Sequence, residues 1–160
     1  METTRAAYDE VYVYAMGRPG FILQSVVDVT VVQTATVDTK PIAIVFGLVG
    51  LYLHIEKQFS GRQVQKAHTR LAGMKREWPN LSLPDDRGTM TAADVLAANA
   101  GPERDRAIED WCKSVWASCI PVRETIVELC RERQLVESST ASRGTQADVE
   151  PPSRKTAPSD

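Results

Sequence analysis

The sequence predicts an all-α domain: an up-and-down helical bundle with an added short helix and a disordered C-terminal tail. Three observations carry that prediction. Apolar residues recur at spacings of three and four through several segments. Prolines and glycines fall between those segments. At Glu137 the composition turns abruptly to Ser, Thr, Pro and scattered charge. Size agrees, since 160 residues of which 42% are hydrophobic suffice for one domain with a real core.

Tyr8 to Met16 is a short amphipathic stretch, stopped by the turn signal Gly17-Arg18-Pro19-Gly20. Phe21 to Val37 is rich in Val and Thr, as strands are. Asp28, Gln33 and Thr34 interrupt any period-two alternation, however, and the segment is long for a strand, so a helix is expected. Pro41 opens Ile42 to Phe59, which is apolar on nearly every face and therefore a central buried helix. Gly47 and Gly50 share one side of it. Mid-helix glycine costs up to ~1 kcal/mol relative to alanine, so close approach of a neighbouring backbone is the expected compensation.

Ser60-Gly61-Arg62-Gln63 has the form of a capping box and starts the fourth helix. Val64, Ala67, Leu71 and Met74 form its inner face and Arg62, Lys66 and Arg70 a basic outer stripe, with Trp78-Pro79 as the expected end. Asn80 to Met90 reads as an extended connection with a turn at Asp85-Asp86-Arg87-Gly88. Thr91 to Asp94 caps a short helix reaching about Ala98, and Gly101-Pro102 leads into a long one from Glu103 towards Arg133. Its core seam is Ile108, Cys112, Val115, Cys119, Val122, Ile126 and Leu129. Pro121 interrupts that helix and predicts a kink or break near Ser118 to Ile120. From Glu137 onward Val149 is the one large aliphatic residue, too little apolar surface to offset the entropy of ordering. The expected division is residues 1–136 as one helical domain and 137–160 as a disordered tail.

Composition narrows the function classes. A formal net charge of −2 argues against a general nucleic-acid binder and against a polybasic membrane-surface protein. The start METTRAAYDE lacks the basic and then apolar run of a signal peptide, so a cytoplasmic location is expected. The longest apolar run, Ile42 to Leu53, falls short of the roughly 20 residues that span a bilayer. Cys112, Cys119 and Cys130 are too far apart along one helix face, at about 10 Å or more, to share a zinc ion, and are read as core residues.

Two patches remain as candidate chemistry. His54 and His68 each fall at the edge of an apolar helical face, and Asp28 is a carboxylate inside an apolar stretch. If their helices pack antiparallel, Asp28, His54 and His68 converge, with Glu56 or Gln33 nearby. Two imidazoles and a carboxylate suit a divalent transition metal with open coordination positions, which would polarise a substrate or activate water. The plainer alternative is that Asp28 pairs locally and the histidines satisfy buried polar partners, and no motif such as HExxH decides between them. The second patch is the basic face of the fourth helix, Arg62, Lys66, Arg70, Lys75 and Arg76. A solvated face, or pairing with an acidic neighbour, is its ordinary outcome. No phosphate-binding glycine motif and no nucleophile-elbow serine occurs.

The succession Tyr8-Asp9-Glu10, Gly17 to Phe21, Val27-Asp28, Gln33, Gly50 to Glu56, Ser60 to Val64 and His68 resembles a family of uncharacterised bacterial proteins. Trp78-Pro79, Leu83 to Gly88, Met90 to Leu96 and Trp111 to Trp116 extend the resemblance, which covers about residues 6 to 135. It implies a helical domain of unknown function. Members of that family often carry a histidine about a turn before the Asp28 position and sometimes another just after the Gln33 position. Here those places hold Ser25 and Thr34, so if the family has a metal site the resemblance implies that this member has lost ligands from it. More remotely, and at fold level alone, the chain is similar to DinB-like metal-binding four-helix bundles.

Three functions follow as expectations. The first is a small cytosolic interaction or accessory protein, docking a protein partner through Trp78 to Met90 or through the basic helix. The second is a metal-dependent bundle enzyme with Asp28, His54 and His68 as ligands. The third, nucleic-acid association through the basic helix, is disfavoured because no helix-turn-helix signature or interleaved aromatic surface accompanies the charges.

Overall fold

A computed structural model of the chain describes residues 2–74 and 77–136. Lys75 and Arg76 of the basic patch, and the expected tail from Glu137, lie outside the described residues. Those residues form seven α-helices and no strand: α1 Glu2–Met16, α2 Leu23–Thr34, α3 Pro41–Ile55, α4 Gly61–Ala72, α5 Ala92–Ala97, α6 Pro102–Ser118 and α7 Ile120–Glu132, with a 3-10 turn at Pro19–Phe21. None is long and apolar enough to cross a membrane.

α2 and α3 stand at the centre. α3 packs against α2, α4, α6 and α7, and α2 against α1, α3, α4 and α6. That position explains the near-uniform apolarity of α3, whose residues from Gly47 to Leu53 are all buried. It also explains the strand-like composition of α2, because Val26, Val29 and Val32 fill the core as helical residues despite their β propensity. Gly47 and Gly50 face α2, as expected. A Cβ at Gly47 would lie 3.1 Å from the Asp28 carbonyl oxygen, and one at Gly50 would lie 1.9 Å from the Asp28 carboxylate. The two glycines thus form the notch that Asp28 occupies.

α3 ends at Ile55, earlier than the expected Phe59. Gln58 takes a left-handed conformation (φ +57°) and the Phe59 N–H reaches back to the Leu53 carbonyl at 3.0 Å, which reverses the chain. The capping box then starts α4. Ser60 Oγ accepts from the Gln63 N–H at 3.2 Å, and Gln63 Oε1 accepts from the Ser60 N–H at 2.8 Å. α4 stops at Ala72 rather than near Trp78. Gly73 is its C-cap, and the Trp78 ring beyond lies edge-on to Phe46 of α3, with centroids 5.5 Å apart.

The connection from Trp78 to Met90 is a strap bonded to the bundle. Leu81, Leu83 and Met90 pack on the core. Arg87 donates to the carbonyls of Val32 at 3.2 Å and Ala35 at 2.5 Å, capping the C-terminal end of α2 where a cation is favoured. Ser114 Oγ accepts from the backbone N–H groups of Thr89 and Met90 at 2.8 and 3.3 Å.

The long C-terminal helix breaks where Pro121 predicts. α6 and α7 meet at Cys119 (φ −88°, ψ 20°). The expected seam from Ile108 to Leu129 is buried throughout. All three cysteines are free and buried, and burial pushes the Cys130 thiol up to about 12. They are core residues, held as inert thiols.

Candidate functional site

Asp28 is a carboxylate buried in the core. Its side chain is 5% exposed, on the buried face of α2 with Ser25, Val26, Val29 and Val32. The Gln24 amide, one turn earlier, donates to Asp28 Oδ1 at 3.1 Å and to His68 Nδ1 at 3.2 Å. His68 Nε2 lies 2.9 Å from the Phe46 carbonyl oxygen and 3.9 Å from Asp28 Oδ1. These partners define the imidazole. Nδ1 faces a donor and so accepts, Nε2–H faces a carbonyl and so donates, and the ring is neutral. Burial lowers the His68 pKa, partly offset by the bond to Phe46. Burial likewise pushes the Asp28 carboxyl well above its ordinary value, against the opposing effects of Gln24 and the His54 charge.

His54 has the opposite surroundings. Nδ1 is 3.0 Å from the Phe59 carbonyl oxygen, and Nε2 is 2.5 Å from Glu109 Oε2 on α6. Both nitrogens face acceptors, so both carry protons and the ring is an imidazolium. The Glu109 bond raises the His54 pKa, and His54 in turn holds the Glu109 carboxyl down. The two histidines therefore differ in charge because one was given a donor and the other a carboxylate.

The fold brings Asp28 and His68 together and turns His54 to Glu109. Glu56 is taken by Arg123 of α7 in a two-point ion pair, and Gln33 serves Tyr8, Trp111 and the strap. Among the described residues no group of three or more His, Cys, Asp or Glu side chains is gathered to hold a metal ion. The residues as placed do not fit a three-ligand centre. Sequence reasoning missed Gln24 and Glu109. Gln24 stands four residues before Asp28 and was within reach of helical spacing; Glu109 lies 55 residues from His54, with no local signal.

Two predictions follow from these charge states. The raised Asp28 pKa disfavours ionisation in the folded chain, so stability falls as pH rises from the ordinary 3.8 through the raised value. Asp28→Asn removes that loss. It is expected to be more stable than the parent at pH 8 by on the order of 1–2 kcal/mol, converging with it near pH 4, as urea unfolding at both pH values would show. A variant less stable at pH 8 overturns the assignment.

The ion pair behaves differently. His54, with its pKa raised above 6.5, contributes fully below 6.5 and loses its contribution as pH rises through the raised value. Glu109, lowered from 4.5, contributes above 4.5 and loses it as pH falls through the lowered value. The unfolding free-energy difference between parent and Glu109→Gln, from urea unfolding across this range, is thus expected to peak between about pH 4.5 and 6.5. Glu109 is 38% exposed, so the peak is modest, at most about 1 kcal/mol. A pH-independent difference would show that the pair is not ionic.

The second candidate is a groove of about 600 Å³ between α4 and the residues that follow α7. Lys57, Lys66 and Arg70 line it with Gln63 and Gln134, and half-buried Phe59 and Val136, together with the edges of buried Ala67 and Leu135, supply its apolar surface. The three cations are exposed, and none pairs with a carboxylate among the described residues. Arg62, also on this face, lies over the Phe21 ring at 4.3 Å instead.

With both sites placed, comparison with known proteins supplies a grouping. The model of a family of unknown function, DUF5946, matches residues 5–119. The chain belongs to this family. The match takes in α1 from Arg5 through α6 and stops at Cys119, so it holds Asp28, His54, His68 and Glu109. α7 and the groove residues Leu135 and Val136 lie beyond it, short of the expected reach to about residue 135. No curated protein and no solved structure matches the chain.

Proposed function

We propose that the protein is a small cytosolic interaction or accessory protein that receives an acidic peptide segment in the groove beside α4. The observation that carries this reading is the set Lys57, Lys66 and Arg70, uncompensated among the described residues and set around apolar surface. Cations at the rim with an apolar floor suit a peptide that offers carboxylates around an aliphatic anchor. Nucleic acid is a poorer fit, because duplex binders use roughly 6–10 phosphate contacts and the chain as a whole carries −2. The Trp78 to Met90 strap is a weaker docking surface, since its side chains and backbone already serve the bundle.

Titration of a fluorescein-labelled peptide of alternating Glu and Leu, followed by anisotropy, tests the reading. Saturable binding that weakens roughly ten-fold in Lys66→Glu/Arg70→Glu supports it. Both substitutions are on the exposed face and spare the core. Tighter binding of a single-stranded oligonucleotide than of the peptide would overturn it.

A metal-dependent enzyme is the second reading, supported by the buried Asp28–His68 pair at 3.9 Å. It requires His54 to leave Glu109 and Phe59 and join them. Elemental analysis of protein purified without chelator decides it. Stoichiometric metal that disappears in His54→Ala/His68→Ala supports this reading, and trace metal unchanged in that variant sinks it.

A further inference from the structure

The groove beside α4 is lined at one end by Leu135 and Val136, where the described chain stops, and the sequence continues from Glu137 to Asp160. Within that continuation Val149 is the one large aliphatic residue, and it stands between two carboxylates, Asp148 and Glu150. We propose that Asp148-Val149-Glu150 is the groove's own occupant, with Val149 against Phe59, Ala67 and Leu135 and the carboxylates on Lys57, Lys66 and Arg70. This rests on the reading of the groove as a receptor for acidic peptide and names the peptide.

Four observations support it. The tripeptide carries the complement of the groove, one aliphatic side chain flanked by two negative charges, and the other charges near it (Arg143, Arg154 and Lys155) lie outside the tripeptide. Pro151 follows directly and disfavours helical backbone at Glu150, so an extended presentation is favoured locally. In extended backbone successive side chains point to opposite sides, which sends Val149 to the floor and leaves both carboxylates to the long side chains at the rim. The connection from Val136 can extend to roughly 40 Å at about 3.3 Å per residue, far more than a groove beginning at Val136 needs.

A tethered segment of this kind is present at an effective concentration in the millimolar range, so even a weak fit is partly occupied. The groove would then open to an outside acidic partner only by competition. Its volume of about 600 Å³ falls within the roughly 300–1,000 Å³ of pockets that hold small ligands.

The test compares the full-length chain with the full-length variant Asp148→Asn/Val149→Ser/Glu150→Gln. Backbone amide resonances of Phe59, Ala67 and Leu135 are expected to move between the two. The variant is expected to bind the labelled Glu/Leu peptide roughly five-fold more tightly, with the gain abolished by Lys66→Glu/Arg70→Glu. Unshifted amides, or equal affinity in parent and variant, overturn the proposal while leaving the groove as a site for another protein. Failure of the variant to bind the peptide at all overturns the groove reading and this proposal with it. Amide shifts that grow with protein concentration place the tripeptide in a second copy and overturn the intramolecular form.

Discussion

Gln33→Ala is expected to destabilise the fold by about 2–3 kcal/mol, which combines one unsatisfied buried donor, on Trp111, with the loss of bonds to half-buried partners. Gln33 Oε1 accepts from the Tyr8 hydroxyl at 2.8 Å and from Trp111 Nε1–H at 2.9 Å. Its Nε2 donates to the carbonyls of Met90 at 2.8 Å and Arg87 at 3.2 Å. One amide thus ties α2 to α1, α6 and the strap. Trp111 is fully buried, so its N–H has no water to turn to when the acceptor is removed. Gln33→Met refills most of the volume without any of the bonds, and the difference between the two variants separates packing from hydrogen bonding. Urea unfolding followed by Trp fluorescence measures both. A loss below about 1 kcal/mol in Gln33→Ala would show that the network is not a keystone of the fold.

Gly61→Ala is expected to cost about 2–4 kcal/mol, because the clash falls on backbone rather than on a side chain able to move. A Cβ at Gly61 would lie 2.2 Å from the Phe21 carbonyl oxygen and 3.1 Å from that of Gly20. The opposing chain is already in left-handed conformations at Gly20 (φ +80°) and Phe21 (φ +54°), so it has little freedom to withdraw. Separating it from α4 would also strain the Ser60–Gln63 capping box beside it. Gly73→Ala is the control. Gly73 has right-handed helical angles, and the nearest atom to an added Cβ is 3.5 Å away, so its substitution is expected to be neutral or slightly stabilising. Equal melting temperatures for the Gly61→Ala and parent chains would mean that the contact is not rigid.

Much of the architecture was legible from residue spacing. The capping box at Ser60, the break ahead of Pro121, the buried seam from Ile108 to Leu129 and the notch at Gly47 and Gly50 all stand where the sequence predicts them. Each depends on groups within a turn or two of one another, or on the one helical face that must be apolar. The misjudged ends, at Phe59 and Trp78, have two different causes. At α3 the left-handed Gln58 serves packing between helices, which local pattern does not encode; at α4 the C-cap Gly73 is itself a local stop signal, and Trp78 packs beyond it on Phe46.

The candidate site shows the same division. Asp28, His54 and His68 were conspicuous in the sequence as ionisable residues on apolar faces, and the belt of cations on α4 was readable from four-residue spacing. Their chemistry was not. Whether an imidazole is neutral or charged depends on which atoms reach its two nitrogens, and here those come from different helices: Gln24 of α2 and the Phe46 carbonyl of α3 for His68, and Glu109 of α6 for His54. The sequence by itself determined the helices, their buried faces and the ionisable residues set among them, because periodicity and capping act over a few residues of chain. Only the tertiary structure decided that Asp28 sits in a glycine notch, that one histidine is an imidazolium and the other neutral, and that three cations share one groove. The reason is that desolvation and hydrogen bonding at those atoms depend on neighbours contributed by segments far apart in the chain.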